Sequence, residues 1–299
     1  MNNIDRQKLT MIVPVFNGMR FIDAFIRPFN KNEYSWDIIF VDNASDDGSF
    51  EYLKNICKQN PSWQVFSFID KKSSYAARNY GASLASGSIF LFTDIDCILT
   101  ERYFKFINSR KFEKDTLLSG PTNIFLDTHN LYEYFDQCAY LNQENYSKKH
   151  YAATANLIVS KTLYERAGGF PEFVSGADNK FCQNCYSLGV QICFQSELVV
   201  KHPPRASLVE HIAKAKRLGI GHGEFILDMS LGFVRNVLMI IKQLVLIVIP
   251  VHSFRLFFRV CIRKKLSFNE VIALIKLCYL AGYHQRLNII LTIATMRRS

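Results

Sequence analysis

The chain has 299 residues, 49% of them hydrophobic, and a formal net charge of +10. This composition provides apolar material for one large core or two modest domains and excludes an intrinsically disordered chain. Residues 1–196 carry 20 basic and 21 acidic side chains, whereas residues 197–299 carry 16 and 5. The excess positive charge therefore lies entirely in the last third of the chain.

The eight cysteines are scattered, and several lie in apolar segments where a free thiol behaves as a small hydrophobic group. The one closely spaced pair, Cys182 and Cys185, lacks the second pair or histidines that would complete a zinc site, so we expect it to be structural. The N-terminal sequence MNNIDRQKLT has no apolar stretch and does not resemble a secretory signal. These features predict a cytoplasmic protein with reduced thiols.

Short apolar runs alternate with amphipathic segments from Leu9 to about Val200. In chain order we predict the strand LTMIVPV, a helix to Asn30, the strand WDIIFVD, a helix to Asn60, the strand QVFSFI, a helix over 73–85 and the strand SIFLFTD. This alternation predicts an α/β domain with a mainly parallel sheet and flanking helices, which we assign to residues 1–204.

Polar residues stand at the predicted carboxyl ends of three of these strands, which is where parallel sheets bind ligands. The first strand leads into residues 14–17 and the second into residues 42–49. The fourth ends in Asp94 and Asp96, two carboxylates one residue apart. Carboxylates so close raise each other's pKa unless something positive lies between them, and a divalent metal ion carrying a diphosphate is one such partner. A solvated loop end is the alternative, and the position after a strand favours the metal.

From residue 205 to residue 299 the sequence predicts a helical region that is both basic and apolar. Residues 236–251, NVLMIIKQLVLIVIPV, are fewer than the roughly 20 that a membrane-spanning helix needs. In the following RLFFRVCIRKKL, basic side chains alternate with apolar ones, which is typical of an amphipathic helix on an anionic membrane surface. A buried helix pair with a solvated basic face is the alternative, and we expect no nucleic-acid partner.

Four segments match a known pattern: VPVFNG at 13–18, VDNASDDGS at 41–49, YAARNYGASLASGSIFLFTDID at 75–96 and GGFPEFVSGAD at 168–178. In order and spacing they resemble the family 2 glycosyltransferases of the GT-A fold, over about residues 8–220. The resemblance implies a Rossmann-like domain that transfers a sugar with inversion, from a nucleotide-sugar expected to be a UDP-sugar. It also implies a glycan or lipid-linked acceptor, Mn²⁺ or Mg²⁺ as cofactor, and a role in cell-surface polysaccharide synthesis. Together with the basic apolar C-terminal region, the cytoplasmic features predict a position on the cytoplasmic face of the membrane.

Five residues are expected on the nucleotide side of the site. Pro14, Phe16 and Asn17 follow the first strand, where an aromatic face can stack on a base and an amide can hydrogen-bond it. Asn17 also suits an ordinary turn. Asp42 offers acceptor oxygens to a uracil N–H or a ribose hydroxyl. Arg78 matches an Arg-Asn step of the family, and its guanidinium can reach the diphosphate or hold a strand-end aspartate.

Three residues are expected at the metal ion. The resemblance assigns Asp94 to the ribose or the metal and Asp96 to the metal, which fits the oxygen ligands that Mg²⁺ and Mn²⁺ prefer. His202 precedes two prolines and a basic helix, where many family members have a histidine that approaches the metal or the diphosphate. A surface loop residue is the alternative for His202.

An inverting transfer needs a general base opposite the departing diphosphate. The resemblance places it at the end of a Gly-Glu-Asp step, which here reads Gly-Ala-Asp and ends in Asp178. A helix N-cap is the alternative for this aspartate, and the two roles are compatible. Ala177, Lys180 and Asn184 depart from the family pattern, which leaves a catalytically inactive relative as an alternative.

The acceptor is expected near residues 123–151, which are rich in Tyr, Asn and Gln, and near Asn156, which matches an acceptor-side position of the family. A connecting loop is the alternative for the segment.

Two other classes of protein remain. A nucleotidyltransferase making sugar nucleotides would show a glycine-rich loop after the first strand, which VPVFNGMR lacks, and a non-catalytic membrane protein would not need the strand-end aspartates.

Overall fold

The structure, a computed structural model, describes residues 7–30, 36–229, 232–248 and 251–295. The first six residues of the predicted non-secretory N-terminus, and Pro250, lie outside this range. The chain forms two compact units. The first comprises Met1–Asn123, Asn142–Glu172 and Asp178–His202, and the second Ile124–Leu141, Phe173–Ala177 and Pro203–Ser299. The division thus differs from the predicted one at residue 204, because two earlier segments belong to the second unit.

The predicted alternation of strands and helices is confirmed over the first part of the chain. The elements are β1 (Leu9–Val15), α1 (Met19–Asn30), β2 (Asp37–Asp42), α2 (Ser49–Lys58), β3 (Trp63–Ser67), α3 (Ser74–Leu84) and β4 (Ile89–Phe92). The strands β1, β2 and β4 are almost wholly buried, which explains why they read as continuous apolar runs rather than as alternating ones.

The first unit continues with shorter elements. They are β5 (Ile98–Leu99), α4 (Glu101–Asn108), β6 (Leu117–Ser119), β7 (Thr122–Ile124), α6 (Gln143–Ser147), β8 (Leu157–Ser160), α7 (Lys161–Arg166), α8 (Ala177–Ser187), β9 (Cys193–Phe194) and β10 (Val200–His202), with α5 (Leu131–Ala139) in the second unit. The last residue of β7 and the first of α8 also belong to the second unit.

Seven strands form one sheet in the order β3-β2-β1-β4-β8-β6-β9, and β5, β10 and β7 form a second, three-stranded sheet. In the large sheet β1 is parallel to both β2 and β4, whereas β8 is antiparallel to β4 and to β6. The chain proceeds outward from β1 to β3 and then returns to the other side of β1. The strand order therefore reverses between β1 and β4, and the carboxyl ends of these strands flank the crevice where such sheets bind ligands.

Helix α3 packs closely onto this sheet through a glycine. A Cβ atom at Gly81 would lie only 2.7 Å from the Ile12 side chain of β1 and 3.0 Å from that of Val41 in β2. The helix begins at the N-cap Ser73, whose side chain accepts a hydrogen bond from the Ala76 amide. Close packing fixes the position of α3, and with it the side chain of Arg78 one turn before Gly81.

The second unit is built from α5 and four further helices: α9 (Leu208–Asp228), α10 (Phe233–Val248), α11 (Val251–Arg263) and α12 (Phe268–Thr295). Glycines on α9 let α12 approach, since a Cβ at Gly219 would lie 2.2 Å from the Gln285 carbonyl oxygen and one at Gly223 would lie 2.5 Å from Thr292. Among the residues described, none of the helices combines the length and apolarity needed to cross a bilayer.

Candidate active site

Four side chains that can bind a metal ion converge at the carboxyl end of β4. Asp94, Asp96 and Cys97 follow the strand directly, and His202 ends β10. One ligand atom from each of the four lies within 4.8 Å of the others. The His202 Nε2 atom is 3.5 Å from Asp96 Oδ2, and the imidazole is almost fully buried. His202 is therefore not the exposed loop residue that the alternative interpretation required.

Strand pairing brings His202 to this cluster across more than a hundred residues of sequence. Strand β10 is antiparallel to β5, with Lys201 paired to Ile98. In an antiparallel pair the residue after Lys201 lies opposite the residue before Ile98. This register sets His202 opposite Cys97 and next to Asp96.

The donor atoms of the cluster fit Mn²⁺ or Mg²⁺, because carboxylate oxygens suit hard cations and a neutral imidazole suits Mn²⁺. Cys97 was not predicted as part of the site, although its position directly after Asp96 was the available signal. Its sulfur lies 3.9 Å from Asp96 Oδ1 and 3.8 Å from the Ala155 carbonyl oxygen. Burial, with the nearby charges of Asp96 and Asp94, raises the pKa of the Cys97 thiol.

Arg78 projects from α3 and forms an ion pair with Asp94, in which Nη2 donates to Oδ1. The guanidinium is buried, lies 5.5 Å from the centre of the Tyr75 ring, and has no described hydrogen-bond acceptor for its Nε–H. Of the two roles considered for Arg78, the structure shows the one that holds a strand-end aspartate. The Nε–H remains as a buried donor beside the site.

The predicted nucleotide residues occupy two neighbouring loops. Asp42 ends β2 and is buried; its Oδ2 accepts a hydrogen bond from the Ser45 amide at 3.1 Å, whereas no described donor reaches Oδ1. Phe16 is 56% exposed after β1, with the Lys72 ammonium 5.7 Å from its ring centre. The Phe16 ring and one carboxylate oxygen of Asp42 are therefore available for the predicted stacking and hydrogen bonding, and these roles stay predictions.

Pro14 and Asn17 differ from expectation. Pro14 lies inside β1, buried and paired with Val41, rather than after the strand end, because the apolar run continues to Val15. Asn17 takes the turn conformation with φ +49°, and its side-chain oxygen accepts a hydrogen bond from the Asp46 amide at 3.0 Å. The Asn17 side-chain oxygen therefore joins the two loops, as the turn alternative predicted.

Asp178 lies in the first turn of α8 and is half-buried. Its Oδ2 accepts from the Thr154 amide at 3.3 Å and its Oδ1 from the Asn179 amide at 2.9 Å. Burial raises the pKa of Asp178, while these amides, the Tyr75 hydroxyl and the charge of Arg78 partly oppose the rise. A raised pKa makes this carboxylate a stronger base than an ordinary aspartate.

The residues around Asp178 have structural roles. Ala177 is buried, and the Asn184 amide nitrogen donates to the Ala167 carbonyl oxygen at 3.1 Å. Cys182 and Cys185 are buried and free, and within the described part of the chain they belong to no cluster of metal-binding side chains. Burial raises the pKa of both thiols, as expected of structural cysteines.

Asn156 does not lie where an acceptor could contact it. Its side chain is fully buried, and its Nδ2 donates to the carbonyl oxygens of Leu198 at 2.7 Å and Pro121 at 3.2 Å. The amide thus connects two backbone segments. The expected acceptor contact of Asn156 was wrong, and its role is structural. The sequence alone does not reveal whether an asparagine is buried or exposed.

Residues 10–164, just over half of the chain, match the model of the family described as Glycosyl transferase family 2. The chain therefore belongs to this family and is a glycosyltransferase, as predicted, and its mainly parallel sheet with flanking helices is the GT-A fold.

Two curated relatives are named glycosyltransferases. Glycosyltransferase AglE of Haloferax volcanii is 26% identical over 220 residues, which make up 71% of this chain and 72% of AglE. Glycosyltransferase GlyG of Streptococcus pneumoniae is 27% identical over 108 residues, or 36% of each chain.

Solved structures show a similar fold. The mannosyltransferase PcManGT from Pyrobaculum calidifontis, in complex with GDP-Man and Mn²⁺, matches with a TM-score of 0.57 at 18% identity, over 97% of this chain and 84% of its own. Residues 1-349 of S. aureus TarS, in complex with UDP-GlcNAc, match with a TM-score of 0.52 at 15% identity, over 97% and 92%. At these identities the likeness establishes the fold.

Proposed function

We propose that this glycosyltransferase moves a sugar, with inversion, from a nucleotide-sugar to a hydroxyl group of a glycan or lipid-linked acceptor in cell-surface polysaccharide synthesis. The observation that carries the proposal is one arrangement in the first unit. Asp94, Asp96 and His202 converge at the end of β4, while Arg78 forms an ion pair with Asp94 and acts electrostatically on Asp178. The buried Arg78 guanidinium thus links the metal-binding cluster to the candidate base.

The donor side is formed by residues around β1, β2 and β4. Phe16 offers an exposed ring to the base, and Asp42 Oδ1 is a buried acceptor without a described donor, which suits a base N–H or a ribose hydroxyl. Asp94, Asp96 and His202 would hold the metal ion. When bound, Mn²⁺ or Mg²⁺ neutralises the charge that develops on the departing nucleoside diphosphate.

On the acceptor side, Asp178 takes the proton of the attacking hydroxyl. The acceptor oxygen forms a bond to the anomeric carbon while the bond from that carbon to the diphosphate oxygen breaks, and the proton ends on the carboxylate. The raised pKa of Asp178 favours this proton transfer, and the Thr154 and Asn179 amides hold the carboxylate in place. The role needs no glutamate at Ala177, since Asp178 is oriented by backbone groups.

Nucleotide binding is tested by thermal unfolding with UDP, GDP or TDP, each with and without Mn²⁺. We expect one of the three, with UDP first, to raise the melting temperature only when Mn²⁺ is present. A nucleotide at a hundred times its Kd stabilises the folded state by about 2.7 kcal/mol. The matching sugar nucleotide should then be hydrolysed slowly without acceptor. No shift with any nucleotide, or pyrophosphate release from a sugar phosphate and a nucleoside triphosphate, would contradict the proposal.

A membrane role rests on the second unit, where α10 buries two of its four polar side chains and exposes a row of apolar ones, next to the exposed Arg235 and Lys242. Asn236 and Gln243 are buried, and Gln243 Oε1 accepts a hydrogen bond from Arg286 Nη1 at 2.9 Å. Its exposed apolar residues are Val234, Leu238, Ile241, Leu244, Val245 and Val248. A helix facing water has the opposite distribution, so this face is suited to an apolar environment.

The neighbouring helices add positive charge to further exposed apolar side chains. In α11, Phe258 and Ile262 are 60% and 84% exposed and alternate with exposed basic residues such as Arg259 and Arg263. Phe268, at the start of α12, is 79% exposed. We propose that α10, α11 and the start of α12 rest on an anionic membrane, which attracts the basic side chains and accepts the apolar ones. All eight cysteines are free, which supports the reducing, cytoplasmic face.

The double variant Leu238→Gln and Val245→Gln is expected to bind vesicles of phosphatidylcholine and phosphatidylserine about tenfold more weakly than the unchanged protein, because it loses two apolar contacts with lipid. Cosedimentation measures this. The control variant, Ile69→Gln and Leu84→Gln, loses two exposed apolar residues in the first unit and should bind normally. Equal binding by both variants, or a dimer in solution that the α10 variant dissociates, would contradict the membrane role.

A further inference from the structure

Residues 150–154 run along one face of α8. Three contacts, spaced one helical turn apart on α8, hold them there. They are the Thr154 amide with Asp178 Oδ2 at 3.3 Å, the Ala152 carbonyl oxygen with Cys182 Sγ at 4.0 Å, and the His150 ring stacked on the Tyr186 ring at 4.2 Å between centres. His150, Ala152 and Thr154 therefore face the helix that carries the proposed general base.

The intervening residues are fixed from the other side by α6. Gln143 is buried and binds both backbone groups of Ala153: its Nε2 donates to the carbonyl oxygen at 3.1 Å and its Oε1 accepts from the amide at 3.0 Å. Tyr151 stacks on Tyr146 with 4.5 Å between ring centres and 22° between ring planes. The segment thus carries two stacked aromatic pairs, Tyr146 with Tyr151 and His150 with Tyr186.

Both pairs are open to solvent, and Tyr151 lies close enough to Asp178 to be affected by its charge. Tyr146, Tyr151 and His150 are half-buried, and Tyr186 is 46% exposed. Burial raises the pKa of the Tyr151 phenol, and the neighbouring Tyr146 hydroxyl and the charge of Asp178 raise it further.

We propose that these pairs bind an oligosaccharide acceptor, a subsite that rests on the proposed function. The face of an aromatic ring carries negative potential and attracts the C–H groups of a pyranose ring. The sugar that receives the transferred residue stacks on the Tyr146–Tyr151 pair, with its hydroxyl toward Asp178. The preceding sugar stacks on Tyr186, which lies eight residues along α8, or about 12 Å of helix, from Asp178. The acceptor class is therefore a glycan of at least two sugars.

The test uses the full chain with Mn²⁺, the donor identified by hydrolysis, and methyl glycosides of glucose, galactose, mannose and N-acetylglucosamine with the corresponding disaccharides. Saturation-transfer NMR reports their binding, and transfer kinetics report KM. Tyr186→Ala is expected to weaken disaccharide binding about tenfold and to leave monosaccharide binding unchanged. Tyr151→Leu should weaken both, whereas Tyr151→Phe keeps the ring and should bind both normally.

Nucleotide binding separates the two proposals. The rise in melting temperature with nucleotide and Mn²⁺ should be the same in all three variants as in the unchanged protein, which also shows that they fold. Normal disaccharide binding by Tyr186→Ala and Tyr151→Leu, or no saturation transfer to any glycoside while the donor is hydrolysed, would overturn the acceptor subsite alone. Failure of the unchanged protein to bind or hydrolyse any nucleotide-sugar would overturn the proposed function and the subsite with it.

Discussion

Replacing Asp178 by Asn is expected to lower the rate of sugar transfer by about 10²–10⁴-fold, the contribution typical of a general base. The amide cannot accept the proton of the attacking hydroxyl. Nucleotide binding should stay nearly unchanged, because the metal cluster and the nucleotide loops are separate residues. Transfer kinetics and the nucleotide-induced shift in melting temperature measure the two effects. Full turnover by the variant would refute the assigned role.

The pH dependence of stability provides the control for Asp178→Asn. A carboxyl group whose pKa is raised on folding stabilises the folded state below its ordinary pKa of about 3.9, and this contribution is lost as the pH rises through the folded pKa. At neutral pH the Asn variant, which carries no buried charge, should therefore melt at the same temperature or higher. The difference in melting temperature between the variant and the unchanged protein should become smaller toward pH 4. A variant that melts lower at neutral pH would show that lost transfer reflects unfolding.

Replacing Asp96 by Ala is expected to abolish metal-dependent donor binding and transfer together, with a loss of metal affinity of at least about 100-fold. The change removes one of two carboxylates of the cluster and the partner of His202. Electron paramagnetic resonance of Mn²⁺ measures free ion directly, independently of activity. Thermal unfolding with nucleotide and Mn²⁺ should show no shift.

Asp115→Ala is the matched control for this experiment. Its carboxylate is 38% exposed in the same unit and pairs with Arg166, and exposed pairs of this kind contribute about 0–1 kcal/mol. This variant should bind Mn²⁺ and donor as the unchanged protein does. Retained Mn²⁺ binding by Asp96→Ala would remove Asp96 from the metal site.

The first seven elements of the fold could be predicted because each is a local pattern of apolar residues and turn residues. The ends of those strands then located Asp42, Asp94 and Asp96. Cys97 shows where a local sequence pattern is insufficient, because a thiol next to a metal ligand looks like any buried cysteine. The bounds of β1 agree with the predicted strand LTMIVPV, and Pro14 therefore lies within the strand and not after it.

Pairings between distant segments could not be predicted from periodicity. His202 meets Asp96 only because β10 pairs with β5, and Asn156 is buried because its amide bridges Leu198 and Pro121. The same holds for α10, whose apolar composition was evident although the direction in which its apolar face points was not. Whether a side chain is buried depends on the residues that pack against it, and in these cases those residues are remote in sequence.

The sequence by itself determined the class of fold, the family and the strand-end aspartates, because these follow from short-range patterns and ordered motifs. Only the tertiary structure decided which side chains act together. It paired Arg78 with Asp94 and set His202 beside Asp96. It also fixed Asp178 with the Thr154 amide. Electrostatic interactions and hydrogen bonds depend on distances of a few ångströms, and those distances arise from the packing of helices and strands rather than from spacing along the chain.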